Sequence, residues 1–197
     1  MQKTQIRIVA GSLRGRRLNV AVHPGMRPTP QRVREAYFSI LGNAIPGRPF
    51  VDVFAGSGVV GLEALSRGAG PTTFVERDHR LANDIEAHLR EFGLRREGEL
   101  IRTDVYRWAE RWRPPGEPVN VFVSPPFPDL EQRPADFHQL IASLQANLPP
   151  ESVLTIQAED TFDPRTLPDA ARWEARRYGR NVLLFWEPLP AGRIQAP

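Results

Sequence analysis

The chain has 197 residues, 41% hydrophobic and 25% charged, which suits one soluble domain with a sizeable core. It contains no cysteine, so disulfides, thiolate metal sites and cysteine nucleophiles are excluded, and no apolar run nears the roughly 20 residues that span a bilayer. Net charge is +3; Lys3 is the one lysine among 26 basic residues, and no acidic residue precedes Glu35. The first ten residues lack the apolar stretch of a secretory signal, so the expected compartment is the cytoplasm.

Taken in chain order, Ile6–Ala10 alternates as a strand, Gly11–Gly15 is turn chemistry, and Arg16–Val20 reads as a second strand: an N-terminal hairpin. Arginines on an acid-free segment suit phosphates, and Arg14, Arg16, Arg17, Arg32 and Arg34 are the candidate RNA contacts. Thr29 is a good N-cap and Pro30 suits a first helical turn, so a helix is expected to Leu41. It would have Val33, Tyr37, Ile40 and Leu41 on one face and end at Gly42.

From Phe50 strands alternate with helices, as in a doubly wound, mostly parallel sheet. Strands are expected at Phe50–Phe54, Thr72–Val75, Glu99–Arg102, Val119–Val123 and Ser152–Gln157. Helices fit Val59–Arg67, His79–Phe92, Val105–Trp112 and Ala135–Asn147. Arg172–Tyr178 and Asn181–Glu187, joined at Gly179-Arg180, read as an antiparallel edge hairpin. The four tryptophans, Trp108, Trp112, Trp173 and Trp186, are expected to serve packing.

Two stretches carry chemistry. In the first, a strand runs through Asp52 and Phe54 into Ala55-Gly56-Ser57-Gly58 and opens a helix. Gly56 and Gly58 allow close backbone approach to a ligand, and the helix N-terminus offers free N–H groups. Glu76 ends the next strand, where a carboxylate can accept both hydroxyls of an adenosine ribose. Asp104, after the third strand, suits either an adenine amino group or the N-cap of the following helix. The second stretch is Ser124-Pro125-Pro126-Phe127, after the fourth strand and beside the glycine turn. Its prolines fix a backbone that can aim the Ser124 and Pro125 carbonyls into a pocket, and Phe127 offers a stacking face. An exocyclic base amine is a poor nucleophile; two acceptors aimed at its hydrogens orient it and stabilise the charge that grows on methyl transfer. His23, His79, His88 and His138 show no ligand spacing, so no metal is expected.

These motifs together resemble the RsmD family of 16S ribosomal RNA guanine-N2 methyltransferases. The likeness rests on Arg7-Ile-Val-Ala-Gly-Ser-Leu-Arg-Gly-Arg-Arg-Leu18, Arg27-Pro-Thr29, Arg32-Val-Arg-Glu-Ala36, Asp52-Val-Phe-Ala-Gly-Ser-Gly58, Gly61 to Gly68, Phe74-Val-Glu76 and Tyr178-Gly179. It implies a class I S-adenosylmethionine-dependent methyltransferase fold, a Rossmann-like seven-stranded sheet in order 3-2-1-4-5-7-6 with strand 7 antiparallel. Residues 1–24 would be an RNA-contacting hairpin extension, 25–190 the methyltransferase domain and 191–197 a tail. It implies S-adenosylmethionine held by Arg27, Thr29, Asp52, Phe54, Ala55, Gly56, Ser57, Gly58, Glu76, Arg77, Asp104, Val105 and Ser124. Catalysis would fall to Ser124, Pro125, Pro126 and Phe127. The implied partner is ribosomal RNA in the assembled or assembling small subunit, with the enzyme a monomer free of membrane and metal. Similar enzymes carry Asp where this chain has Ser124. That departure motivates one alternative, a catalytically weak RNA-binding or assembly protein; the G-x-G-x-x-G spacing of Gly56, Gly58 and Gly61 motivates another, a nicotinamide-dependent oxidoreductase using the same glycine turn, which leaves the Ser124–Phe127 loop unexplained. Asp129 is the nearest acidic residue in sequence and could replace the carboxylate only if the loop folds back.

Overall fold

The structure is a computed structural model that describes residues 3–21 and 28–189. Arg27, His23 and the 191–197 tail lie outside the described residues, as does the side chain of Phe127.

The N-terminal hairpin pairs β1 (Lys3–Arg7) with β2 (Arg17–Ala21), antiparallel, Ile6 opposite Leu18. The first strand lies three residues earlier than its alternation suggested. The cause is Ser66, at the end of α2 (Val59–Ser66): its Oγ donates to Ala10 O at 2.6 Å and accepts from Leu13 N at 2.9 Å, while its carbonyl accepts from Ser12 N at 2.7 Å. Backbone groups that a longer hairpin would pair are satisfied by the helix instead. Gly11 makes this possible, since a Cβ there would collide with the Ser66 carbonyl. Ile8, Leu18 and Val20 are buried, so the hairpin is docked on the domain.

Helix α1 (Gln31–Leu41) buries Val33, Arg34, Tyr37, Phe38 and Leu41. At about 100° per residue, Ile40 falls at the edge of that stripe, about 20° beyond Val33, and it is 46% exposed rather than packed. Thr29 does not cap this helix; Pro30 holds the N-cap position and its carbonyl accepts from the Val33 and Arg34 amides. The Thr29 hydroxyl turns instead to Gln157, 2.6 Å away.

The main sheet contains β3 (Phe50–Val53), β4 (Thr72–Glu76), β5 (Gly98–Arg102), β6 (Asn120–Val123), β7 (Val153–Glu159), β8 (Glu174–Tyr178) and β9 (Asn181–Trp186). Their order is β5-β4-β3-β6-β7-β9-β8, parallel through β7, with β9 antiparallel to both its neighbours. Alternation divides the core. Phe50, Phe74, Phe122 and Phe185 pack with the hairpin, α1, α2 and α3 (His79–Glu91) on one face. Val51, Val53, Val121 and Val123 pack with α4 (Val105–Arg111) and α6 (Pro134–Asn147) on the other. Trp108 and Trp186 are buried in this second layer, and Trp112 and Trp173 pack against it. One short helix, α5 (Phe127–Gln132), was not expected: two prolines before it mask a six-residue helical run. The strand order reverses between β3 and β6, so a crevice opens at their carboxyl ends.

Candidate active site

A cavity of about 950 Å³ occupies that crevice. The turn after β3 forms one wall. Phe54 has φ 60°, Gly56 φ 54° and Gly58 φ 71°, a left-handed run in which Phe54 is under strain. Three bonds hold it: Ala55 N to Val75 O at 3.0 Å, Gly58 N to Ala55 O at 2.7 Å, and Gly56 N to the Glu76 carboxylate at 2.7 Å.

The three glycines divide the work differently from the sequence expectation. A Cβ on Gly56 would meet nothing closer than 3.8 Å and would project from a residue that lines the cavity; there the left-handed backbone, not packing, calls for glycine. Gly58 does not line the cavity, and its Cβ would sit 2.7 Å from Ile85 Cγ1, so it serves helix packing. Gly61 likewise lets α2 approach the Phe74 ring.

Asp52, Glu76, Asp78 and Glu159 line the cavity, and the first two flank the glycine turn. Glu76 Oε2 accepts from Gly56 N and Oε1 from Asp78 N at 2.8 Å. Each carboxylate oxygen has a second lone pair, so both remain able to accept a hydroxyl. Asp52 is buried and accepts from Gly61 N at 2.9 Å. Burial pushes its carboxyl up to about 8; the Gly61 amide opposes this and the charge of Glu76 adds to it. Such a group keeps its proton at neutral pH unless a cation enters beside it. Val75, Leu81 and Val105 supply apolar wall between these polar groups.

Asp104 takes the capping option. Its Oδ1 accepts from Tyr106 N and Arg107 N at the start of α4, Oδ2 lies 3.4 Å from Arg77 Nη1, and it does not line the cavity, whereas Arg77 and Val105 do. Thr29, Ala55 and Ser57 also line it.

The loop after β6 closes the opposite wall. Ser124 N donates to Val53 O at 3.2 Å, which ties the loop to the strand beside it, and Ser124, Pro125 and Pro126 all line the cavity. Asp129 does not stand in for the missing loop carboxylate. It is buried in α5 and accepts from the Tyr106 hydroxyl at 3.0 Å; the Arg133 guanidinium covers the Tyr106 ring at 4.0 Å. Burial and the Asp129 charge keep that phenol protonated far above the usual tyrosine range.

Arg34 is no RNA contact. It is 2% exposed; Nε pairs with Glu63 at 2.9 Å, and its other nitrogens donate to Thr29 O at 2.6 Å and Arg7 O at 2.8 Å. The helical stripe of α1 turns it inward. Arg14, Arg16, Arg17 and Arg32 are exposed. The first three flank the hairpin turn at the far end of α2 from the cavity, a helix length of about 12 Å away. Gln157, Asn181 and Arg180 line the cavity and were not singled out from sequence. The available signal was a glutamine near the carboxyl end of a strand, where α/β ligands sit. Among the described residues no group of three or more His, Asp or Glu could hold a metal, and no helix is long and apolar enough to cross a membrane.

The strand order with β9 reversed, and a nucleoside-sized crevice at the β3/β6 switch, define a class I S-adenosylmethionine-dependent methyltransferase fold. Residues 6–187 match the family described as Conserved hypothetical protein 95. The chain is 35% identical over 176 residues to Ribosomal RNA small subunit methyltransferase D of Escherichia coli (strain K12), covering 88% of this chain and 83% of that protein. It therefore belongs to the RsmD family. The solved structure of yhhF from Escherichia coli superposes with TM-score 0.76 at 31% identity, covering 94% of this chain and 98% of that one. RsmC, a Thermus thermophilus 16S rRNA N2 G1207 methyltransferase solved with AdoMet and guanosine, shares the fold at TM-score 0.71 and 19% identity, over 95% of this chain and 50% of that one.

Proposed function

We propose that this chain transfers a methyl group from S-adenosylmethionine to the exocyclic N2 of a guanine in small-subunit ribosomal RNA. One observation carries the reading: a nucleoside cradle and an amine-orienting loop open into the same cavity. Glu76 is suited to the ribose hydroxyls, the bare Gly56 backbone to close approach, and the Val75–Val105 wall to the adenine. Asp52 faces the cationic end, where a positive charge would draw off its proton. When bound, S-adenosylmethionine supplies an electrophilic methyl group on a sulfonium. The chain's own part is to hold the amine. Ser124 Oγ and the Pro125 carbonyl accept its two hydrogens, point its lone pair inward, and stabilise the positive charge that develops on nitrogen. Phe127, at the first residue of α5, is assigned the face of the base. The surplus proton leaves to water, so no base of tuned pKa is required. Membership of the RsmD family supports ribosomal RNA of the small subunit as substrate, and the exposed arginines of the hairpin support a role for residues 1–24 in contacting it.

The family membership, with a β9 reversed between β7 and β8 that the 3-2-1-4-5-6 dinucleotide-binding order lacks, argues against the nicotinamide-dependent reading. A second reading, a binding protein of low turnover, keeps one observation in its favour: Asp129, the acidic residue nearest in sequence, is committed to Tyr106 and does not compensate for Ser124. The test is methyl transfer from labelled S-adenosylmethionine to unmodified small ribosomal subunits, with nucleoside analysis. N2-methylguanosine is expected. Label in another base overturns the guanine assignment, and activity that appears only in Ser124→Asp favours the second reading.

A further inference from the structure

The wall of the cavity beyond the Ser124 loop is polar, and the assigned roles leave it unused. Thr29 Oγ1 donates to Gln157 Oε1 at 2.6 Å, and Gln157 Nε2 donates to Asn181 Oδ1 at 3.1 Å. All three residues line the cavity; Thr29 and Gln157 are buried and Asn181 is half-buried. The chain of bonds has a direction. It uses the oxygens of both amides and leaves the Asn181 NH2 as a pair of donors. Thr29 is itself fixed, because its carbonyl accepts from the buried Arg34.

The sheet sets where this wall stands. Gln157 is near the carboxyl end of β7, next to β6, and Asn181 opens β9, one strand further, opposite Glu159. From the β6 loop to Asn181 is two strand spacings, about 10 Å. That matches the Watson–Crick edge of a purine with a hydrogen bond at each end. A base with its amine at Ser124 and Pro125 would therefore bring the other end of that edge to Asn181. Guanine held by N2 has a keto oxygen there, an acceptor for the amide donors. Adenine held by its amine has a C–H at the corresponding place, whereas cytosine held by N4 would present its O2 acceptor there, so the contact separates guanine from adenine.

We propose that Asn181, set in orientation by Gln157 and Thr29, reads the O6 keto oxygen of the target guanine and so determines which purine is methylated. This rests on the guanine reading above, and two purine analogues separate the two claims. 2-Aminopurine keeps the N2 amine and lacks O6; 2,6-diaminopurine has a donor in place of the O6 acceptor. Binding of guanosine, 2-aminopurine riboside and 2,6-diaminopurine riboside is measured by NMR titration of the protein saturated with S-adenosylhomocysteine. Wild type should favour guanosine by roughly tenfold or more, the loss on leaving one buried polar group unpaired. Asn181→Ala should bring the three ligands level, and Gln157→Leu should move the ratio the same way by releasing Asn181. Asn181→Asp, nearly the same shape but an acceptor, should shift preference to 2,6-diaminopurine riboside. Affinity for S-adenosylhomocysteine should hold in all three variants. A wild type that binds the three ribosides alike, or binds none, overturns the proposal, as does a guanosine preference unchanged in Asn181→Asp. Either result, found with N2-methylguanosine still formed on ribosomal subunits, rejects the role of Asn181 and leaves the guanine reading standing.

Discussion

Replacing Arg34 with Met tests the division between binding and structural arginines. Arg34 makes three bonds at once: to Glu63, to the Thr29 carbonyl and to the Arg7 carbonyl. Met roughly matches the aliphatic stem but removes every donor. Glu63, 0% exposed, would keep only Arg67, whose side chain is 22% exposed and 2.8 Å away. Stranding one member of a buried ion pair costs about 3–5 kcal/mol. The two abandoned carbonyls belong to the same event and lie within that range rather than adding to it, since effects in one network are not additive. Against a typical domain stability of roughly 5–15 kcal/mol this is a large loss. For a chain of this length it corresponds to a fall in Tm of about 6–20 °C. Urea denaturation and thermal scans of the purified variant provide the assay. Arg34→Met with Glu63→Leu should be less destabilised than Arg34→Met alone, because the uncompensated charge is gone, yet still short of wild type because the two carbonyls remain unsatisfied. A loss below about 1 kcal/mol in the single variant, or no recovery in the double, would refute the argument. So would an altered salt dependence of RNA binding in a variant that stays folded, since this guanidinium is enclosed.

The remaining predictions concern the site. The Asp52 carboxyl is raised to about 8 in the folded protein, so its contribution to stability is complete below its ordinary value near 3.8 and is lost as pH rises through about 8. The Tm of ligand-free wild type should therefore fall between pH 6 and 9 more steeply than that of Asp52→Asn, and parallel curves would contradict the assignment. Both turn glycines are left-handed, so Gly58→Val and Gly56→Ala should each lower Tm, Gly58→Val by more because of its added clash with Ile85, and Gly56→Ala should also weaken S-adenosylhomocysteine binding in calorimetry. Ser124→Ala should cost about 2–4 kcal/mol of barrier in single-turnover methylation, as for loss of one preorganised polar partner, and Ser124→Asp should preserve or raise the rate; indifference to Ser124→Ala would move catalysis out of this loop. Replacing Arg14, Arg16 and Arg17 together with Ala should weaken RNA binding and flatten its dependence on log salt, leaving S-adenosylhomocysteine affinity intact.

Local pattern was enough for much of this molecule. Apolar strands alternating with amphipathic helices specified the parallel sheet, because side-chain periodicity of two or 3.6 residues is written directly into the chain. The glycine turn after Asp52, Glu76 at a strand end and the Ser124–Phe127 loop were legible for the same reason: each is a short contiguous motif at the carboxyl end of a strand. What depended on contacts between distant segments was not legible. Whether Arg34 meets solvent or Glu63 is decided by how α1 lies on α2, 29 residues on. Thr29 abandons its helix for Gln157, 128 residues away, and a capping propensity worth about 1 kcal/mol does not hold it. Gly58 looks like ligand space in the sequence, and only the packed Ile85 shows that the space belongs to the core. The polar wall of Gln157 and Asn181 exists because β7 and β9 are neighbours, a pairing set by the whole sheet and by neither strand alone.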